Sequence, residues 1–68
     1  MDFKIVSVKE VIKTFKTLLR QRKNADDAKE METINDNIDD FFLDVVAIYG
    51  YSFNQAREMY RRARRAVA

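Results

Sequence analysis

A single glycine, Gly50, and no proline interrupt a chain of 68 residues. So few turn formers, together with 35% charged residues, suit long helices joined by short connections. The spacing of apolar side chains agrees. Val8, Val11, Ile12, Phe15, Leu18 and Leu19 recur at intervals of three and four, as do Met31, Ile34, Ile38, Phe41, Phe42, Val45, Ile48 and Tyr49. A third series, Phe53, Ala56, Met59, Tyr60, Ala63 and Val67, follows the glycine.

The boundaries can be read from capping chemistry. Ser7 with Glu10 forms a capping box, in which each side chain accepts a bond from an otherwise unpaired N–H of the first turn. The first helix is therefore predicted from Ser7 to about Lys23. For the second, Asn24 or Asp26 supplies an early cap, whereas the poor helix formers Asn35, Asp36 and Asn37 mark a later alternative; the early start is preferred. Gly50 ends that helix in a left-handed conformation, and Ser52 with Gln55 opens a third, predicted from Phe53 to about Val67. Before them, Phe3 and Ile5 fall on one side of an extended chain, either a short strand or a terminal arm. The fold expected is all-α: one small domain, residues 1–68, as a three-helix bundle or an open arrangement completed by a second subunit.

Composition excludes several chemistries. With no Cys and no His, thiolate and imidazole ligands, zinc fingers and catalysis by either residue are absent. One glycine cannot make a phosphate-cradling loop. Adjacent Asp39 and Asp40 point in different directions on a helix and read as solvated rather than as an acid–base pair. The expectation is a protein that is not an enzyme and has no cofactor and no metal. Residues Met1 to Val8 carry no basic stretch followed by a long apolar run, and no segment approaches the roughly 20 apolar residues of a membrane span, so a cytoplasmic location without membrane contact is expected.

The net charge of +2 conceals strong segregation. Residues 1–24 carry +5, residues 25–44 carry −7 and residues 45–68 carry +4. Lys9, Lys13, Lys16, Arg20 and Lys23 share one stripe of the first helix, and Arg57, Arg61, Arg64 and Arg65 one stripe of the third. The acids Glu32, Asp36, Asp39, Asp40 and Asp44 mark the second. Either these are solvated faces that attract weakly across helix boundaries, or the Arg stripe binds phosphate.

The run Val45-Val46-Ala47-Ile48-Tyr49-Gly50-Tyr51-Ser52-Phe53-Asn54-Gln55-Ala56 resembles the turn of a helix-turn-helix unit, with Gly50 in the turn and Ala56 where the helices cross. Gly50-Tyr51-Ser52 with Ala56 also looks like the turn of phage small-terminase DNA-binding domains, and the same spacing is similar to that of ubiquitin-associated domains, which bind proteins. The match covers about a quarter of the chain and has Val46 where a small residue is common. A purely structural corner between two helices would produce much of it. The helix-turn-helix resemblance implies a recognition helix in which Asn54, Arg57, Glu58 and Arg61 face the duplex, Asn pairing with adenine and Arg with guanine.

Two functional expectations follow. One is a small regulatory protein binding duplex DNA through Asn54, Arg57, Arg61, Arg64 and Arg65. The other is an interaction module or inhibitor whose partner is a protein, using the acidic helix and its exposed apolar residues. Leu43 and Ala47 lie off the main apolar stripe of the second helix and are read as a homo-oligomer interface. Tyr49, Tyr51 and Tyr60 are assigned to the edge of the core.

Overall fold

In a computed structural model of the chain, which describes residues 7–67, three helices account for the whole architecture and no strand occurs among those residues. The extended arm expected around Phe3 and Ile5 lies outside the described residues.

Helix α1 spans Val8–Lys23. Ser7 precedes it in extended conformation, and its hydroxyl accepts the Glu10 N–H at 3.2 Å, satisfying one of the orphan donors of the first turn. Thr14 and Thr17 donate their hydroxyls to the carbonyls of Glu10 and Lys13, at 3.1 Å each. At the other end, Asn24 N–H reaches the Arg20 carbonyl at 3.1 Å.

Helix α2 spans Ala28–Ala47. Its start is the early one, but its cap is neither Asn24 nor Asp26. Asn24 already closes α1, whereas Asp27 has the extended backbone a cap requires (φ −135°, ψ 165°) and accepts the Glu30 N–H at 2.7 Å. The expected end at Gly50 is also corrected, because the helix stops at Ala47. The Asp44 carbonyl accepts N–H bonds from both Ile48 (2.8 Å) and Tyr49 (3.1 Å), and Tyr51 N–H returns to Val45 at 3.2 Å. Gly50 follows in the left-handed region, φ 76°, and turns the chain. Helix α3, Phe53–Val67, then starts from a complete capping box: Ser52 Oγ accepts the Gln55 N–H at 3.1 Å, and Gln55 Oε1 accepts the Ser52 N–H at 2.9 Å.

The central element is α1. It packs most extensively on α3 and next on α2, while α2 and α3 meet least. Helices α1 and α3 run in the same general direction: Val8 borders a hollow with Tyr51 and Met59 at one end, and Lys23 Nζ donates to the Val67 carbonyl at 3.4 Å at the other. The buried core is Val11, Phe15 and Leu19 from α1, Ile34, Ile38 and Val45 from α2, and Ala56, Met59 and Ala63 from α3. Two alanines on the face of α3 bring its backbone close to α1, which explains why that pair is the tighter one.

Phe15 is fully buried and edge-on to Phe41 (ring centroids 4.9 Å) and Tyr60 (5.4 Å), with Phe42 at 6.3 Å. Such T-shaped pairs add about 0.5–1.5 kcal/mol each beyond area burial. Tyr49, Tyr51 and Tyr60 are partly buried against the core, as expected. Four residues read as core are not: Val8, Met31, Ile48 and Phe53 are exposed. All four lie at or near a helix end, where neighbouring helices cover a side chain only in part.

Candidate nucleic-acid interface

Burial of Ala56, Met59 and Ala63 fixes the rotation of α3 about its own axis. At 3.6 residues per turn, Asn54, Arg57, Arg61, Arg64 and Arg65 then fall within an arc of about 100° on the opposite side. All five are exposed. From Asn54 to Arg65 the face runs about 16 Å along the helix at 1.5 Å per residue. Arg64 and Arg65 lie in the last turn, where cations also complement the negative end of the helix dipole.

Charge pairing separates these residues from their neighbour Arg62. Arg62 Nε lies 3.8 Å from Glu58 one turn earlier, an exposed pair worth little. Among the described residues, no carboxylate lies within 4.0 Å of Arg57, Arg61, Arg64 or Arg65. The acids of α2 are equally unpaired: Glu32, Asp36, Asp39, Asp40 and Asp44 are all exposed, and among the described residues none reaches a basic side chain of α1 or α3. The expected attraction across helix boundaries is therefore not realised as ion pairs. Polar contacts between the helices are instead uncharged at one partner: Arg22 Nη1 donates to Asn35 Oδ1 at 3.3 Å, and Lys23 Nζ to the Val67 carbonyl.

An open groove of about 310 Å³ between α2 and α3 is lined by Ile38, Asp39, Phe42 and Tyr60. Its α2 wall carries Asp39, so a polyanion meets less repulsion on the side of α3 away from α2. A hollow of similar size at the far end, lined by Leu19, Arg22, Lys23, Met31, Arg64 and Val67, adds cations from α1 near Arg64.

The structure leaves Leu43 63% exposed and Ala47 exposed as well, as expected of residues off the apolar stripe. Ile48 (65%) and Phe53 (61%) add to the exposed apolar surface around the α2–α3 junction, the ring of Phe53 lying edge-on to Phe42 at 5.3 Å. Periodicity assigned both to the core; their position at the helix ends was the available signal. Sequence reasoning also missed a groove of about 830 Å³ where Val8 and Ile12 are bordered by Lys9, Lys13, Lys16 and Arg62, with Glu10 as its one acid.

Among the described residues, no three Asp or Glu side chains gather as a metal site, and no helix is long and apolar enough to cross a membrane. Comparison with protein families, curated proteins and solved structures gave no match.

Proposed function

We propose that the chain is a small, non-enzymatic regulatory protein that binds duplex DNA through α3. The observation that carries this reading is the set of exposed, acid-free guanidinium groups on one face of that helix, since clustered Arg makes bidentate contacts with phosphate and with guanine. In a helix-turn-helix geometry Gly50 is the turn and the capped start of α3 carries Asn54 and Arg57 to the groove. The small area shared by α2 and α3 leaves the recognition face uncovered by α2.

The test is a triple substitution, Arg57→Gln, Arg61→Gln and Arg64→Gln, which keeps helix propensity and leaves the core untouched. Duplex affinity should fall for every sequence, and the dependence of log K on log salt should become shallower by about 2–3 as counterion release is lost. Asn54→Ala should instead weaken binding to a preferred sequence and leave the salt slope nearly unchanged. A wild type that shifts no duplex at low salt removes the reading.

A second reading, an interaction module or inhibitor acting through α2, is favoured by its exposed Leu43, with Ile48 and Phe53 exposed at the α2–α3 junction. An apolar interface of that kind holds as salt rises, whereas duplex binding weakens steeply.

A further inference from the structure

Two surfaces that have no partner among the described residues are complementary to each other but lie on different helices. On α2, Leu43 and Ala47 are exposed in a strip flanked by Asp36, Asp39, Asp40 and Asp44. On α1, the Val8–Ile12 groove is bordered by Lys9, Lys13 and Lys16, with Arg62 contributed by α3. Arg62 is engaged by Glu58, and Glu10 is the groove's own carboxylate, so its surplus positive charge comes from the three lysines.

We infer that the occupant of the α1 groove is the α2 face of a second copy of this chain, giving a head-to-tail contact. Three features argue for a copy rather than a foreign chain. The charges match in number: Lys9, Lys13, Lys16, Arg20 and Lys23 form a stripe of five, and Glu32, Asp36, Asp39, Asp40 and Asp44 a strip of five. The stripes also match in length, about 21 Å on α1 and about 18 Å on α2 at 1.5 Å per residue. Finally, each carries an apolar pair at one end, Leu43 with Ala47 at the C-terminal end of the acidic strip and Val8 with Ile12 at the N-terminal end of the basic one, so an antiparallel contact brings the two pairs together with the charged rows side by side beyond them. Neither face meets its complement inside one molecule, because among the described residues no α2 carboxylate reaches an α1 ammonium.

The contact is heterologous, since the donor and acceptor surfaces differ. A copy that uses its α2 face keeps its α1 groove open for the next, and the result is a ring or an open chain according to the rotation between neighbours. A single helix-on-helix contact belongs to the small interface class, so the association is weak and salt-sensitive. The α3 Arg face takes no part in it. The inference rests on the reading of α2 as a docking face and is independent of DNA binding.

Charge reversal tests it. One variant combines Asp36→Lys, Asp39→Lys and Asp40→Lys; the other combines Lys9→Glu, Lys13→Glu and Lys16→Glu. In sedimentation velocity at high micromolar concentration and low salt, wild type should form species larger than a monomer, with association weakened at least about tenfold in high salt. Each variant alone should sediment as a monomer, and an equimolar mixture should associate again, because each supplies the face the other has lost. If either triple variant loses its helical circular dichroism, the pair Asp40→Lys and Lys13→Glu repeats the test with a single reversal on each side.

A third variant, Arg57→Glu, Arg61→Glu and Arg65→Glu, makes the same change of charge on α3. It should keep self-association within about twofold of wild type while losing duplex binding, which separates this inference from the DNA reading. A monomeric wild type overturns the head-to-tail contact. So does association that survives both reversals and high salt, the behaviour of two Leu43 patches meeting face to face, and so does a mixture that stays monomeric. Equal loss in the α3 variant reduces the effect to net charge and overturns it as well.

Discussion

Helices α2 and α3 pack on the same central helix in different ways. On its buried face α3 offers two alanines and a methionine, and it lies close along α1 with its Val67 carbonyl accepting from Lys23. By contrast, α2 offers branched and aromatic side chains, Ile34, Ile38, Phe41, Phe42 and Val45, and touches α3 little. One contact works by close backbone approach, the other by side-chain volume around Phe15. The difference shows how a chain of this length obtains a core from three helices without enclosing it on all sides, with α1 as the shared support. It also explains why the acidic and basic faces remain apart, since the side of α2 opposite its apolar stripe is covered by neither of the other helices.

The comparison is most directly broken at Phe15, the residue on which both contacts depend. Phe15→Ala should cost about 3–5 kcal/mol, a large share of the stability of a small domain, and urea denaturation followed by circular dichroism should find the variant largely unfolded. A loss under about 1 kcal/mol would mean that the aromatic cluster is not the centre of the fold.

Ala63→Leu probes the close α1–α3 contact alone. Overpacking there should cost about 1–3 kcal/mol, visible as a lower urea midpoint at unchanged slope. A neutral result would show that α3 can move away from α1 without penalty. The smallest effect belongs to Asp27→Ala. Removing the cap of α2 should cost about 1 kcal/mol, and thermal unfolding should register a modest drop. If the early turns of α2 already fray, the variant should match wild type, which would sharpen the contrast between the two helices.

Much of this was legible in the sequence, for identifiable reasons. Caps are local chemistry, so Ser7 and Ser52 were found from their own neighbours, and α3 was bounded correctly at both ends. The cap of α2 was harder because Asn24, Asp26 and Asp27 all have suitable side chains, and only the backbone conformations distinguish them. Periodicity identified which face of each helix is apolar, but not which partner covers it or where that partner stops. Ile48 and Phe53 were misread for that reason, and the weak α2–α3 contact could not be anticipated. The Arg face of α3 was read correctly as exposed because its position follows from Ala56, Met59 and Ala63 alone. The groove beside Val8 and Ile12 could not be read at all, since it exists only where Arg62 of α3 comes alongside α1.

Gly50 has a consequence that concerns handedness. Its φ of 76° belongs to the region that suits a mirror-image amino acid, and a β-carbon built there on the L configuration meets nothing within 4 Å. The objection to a side chain at this position is thus stereochemical rather than spatial, a matter of roughly 1–2 kcal/mol of local backbone strain. A D-alanine has the reverse preference. Introduced by chemical synthesis, it would narrow the freedom of the unfolded chain in favour of the conformation the turn already holds, so the residue best suited to this corner is one the ribosome does not supply.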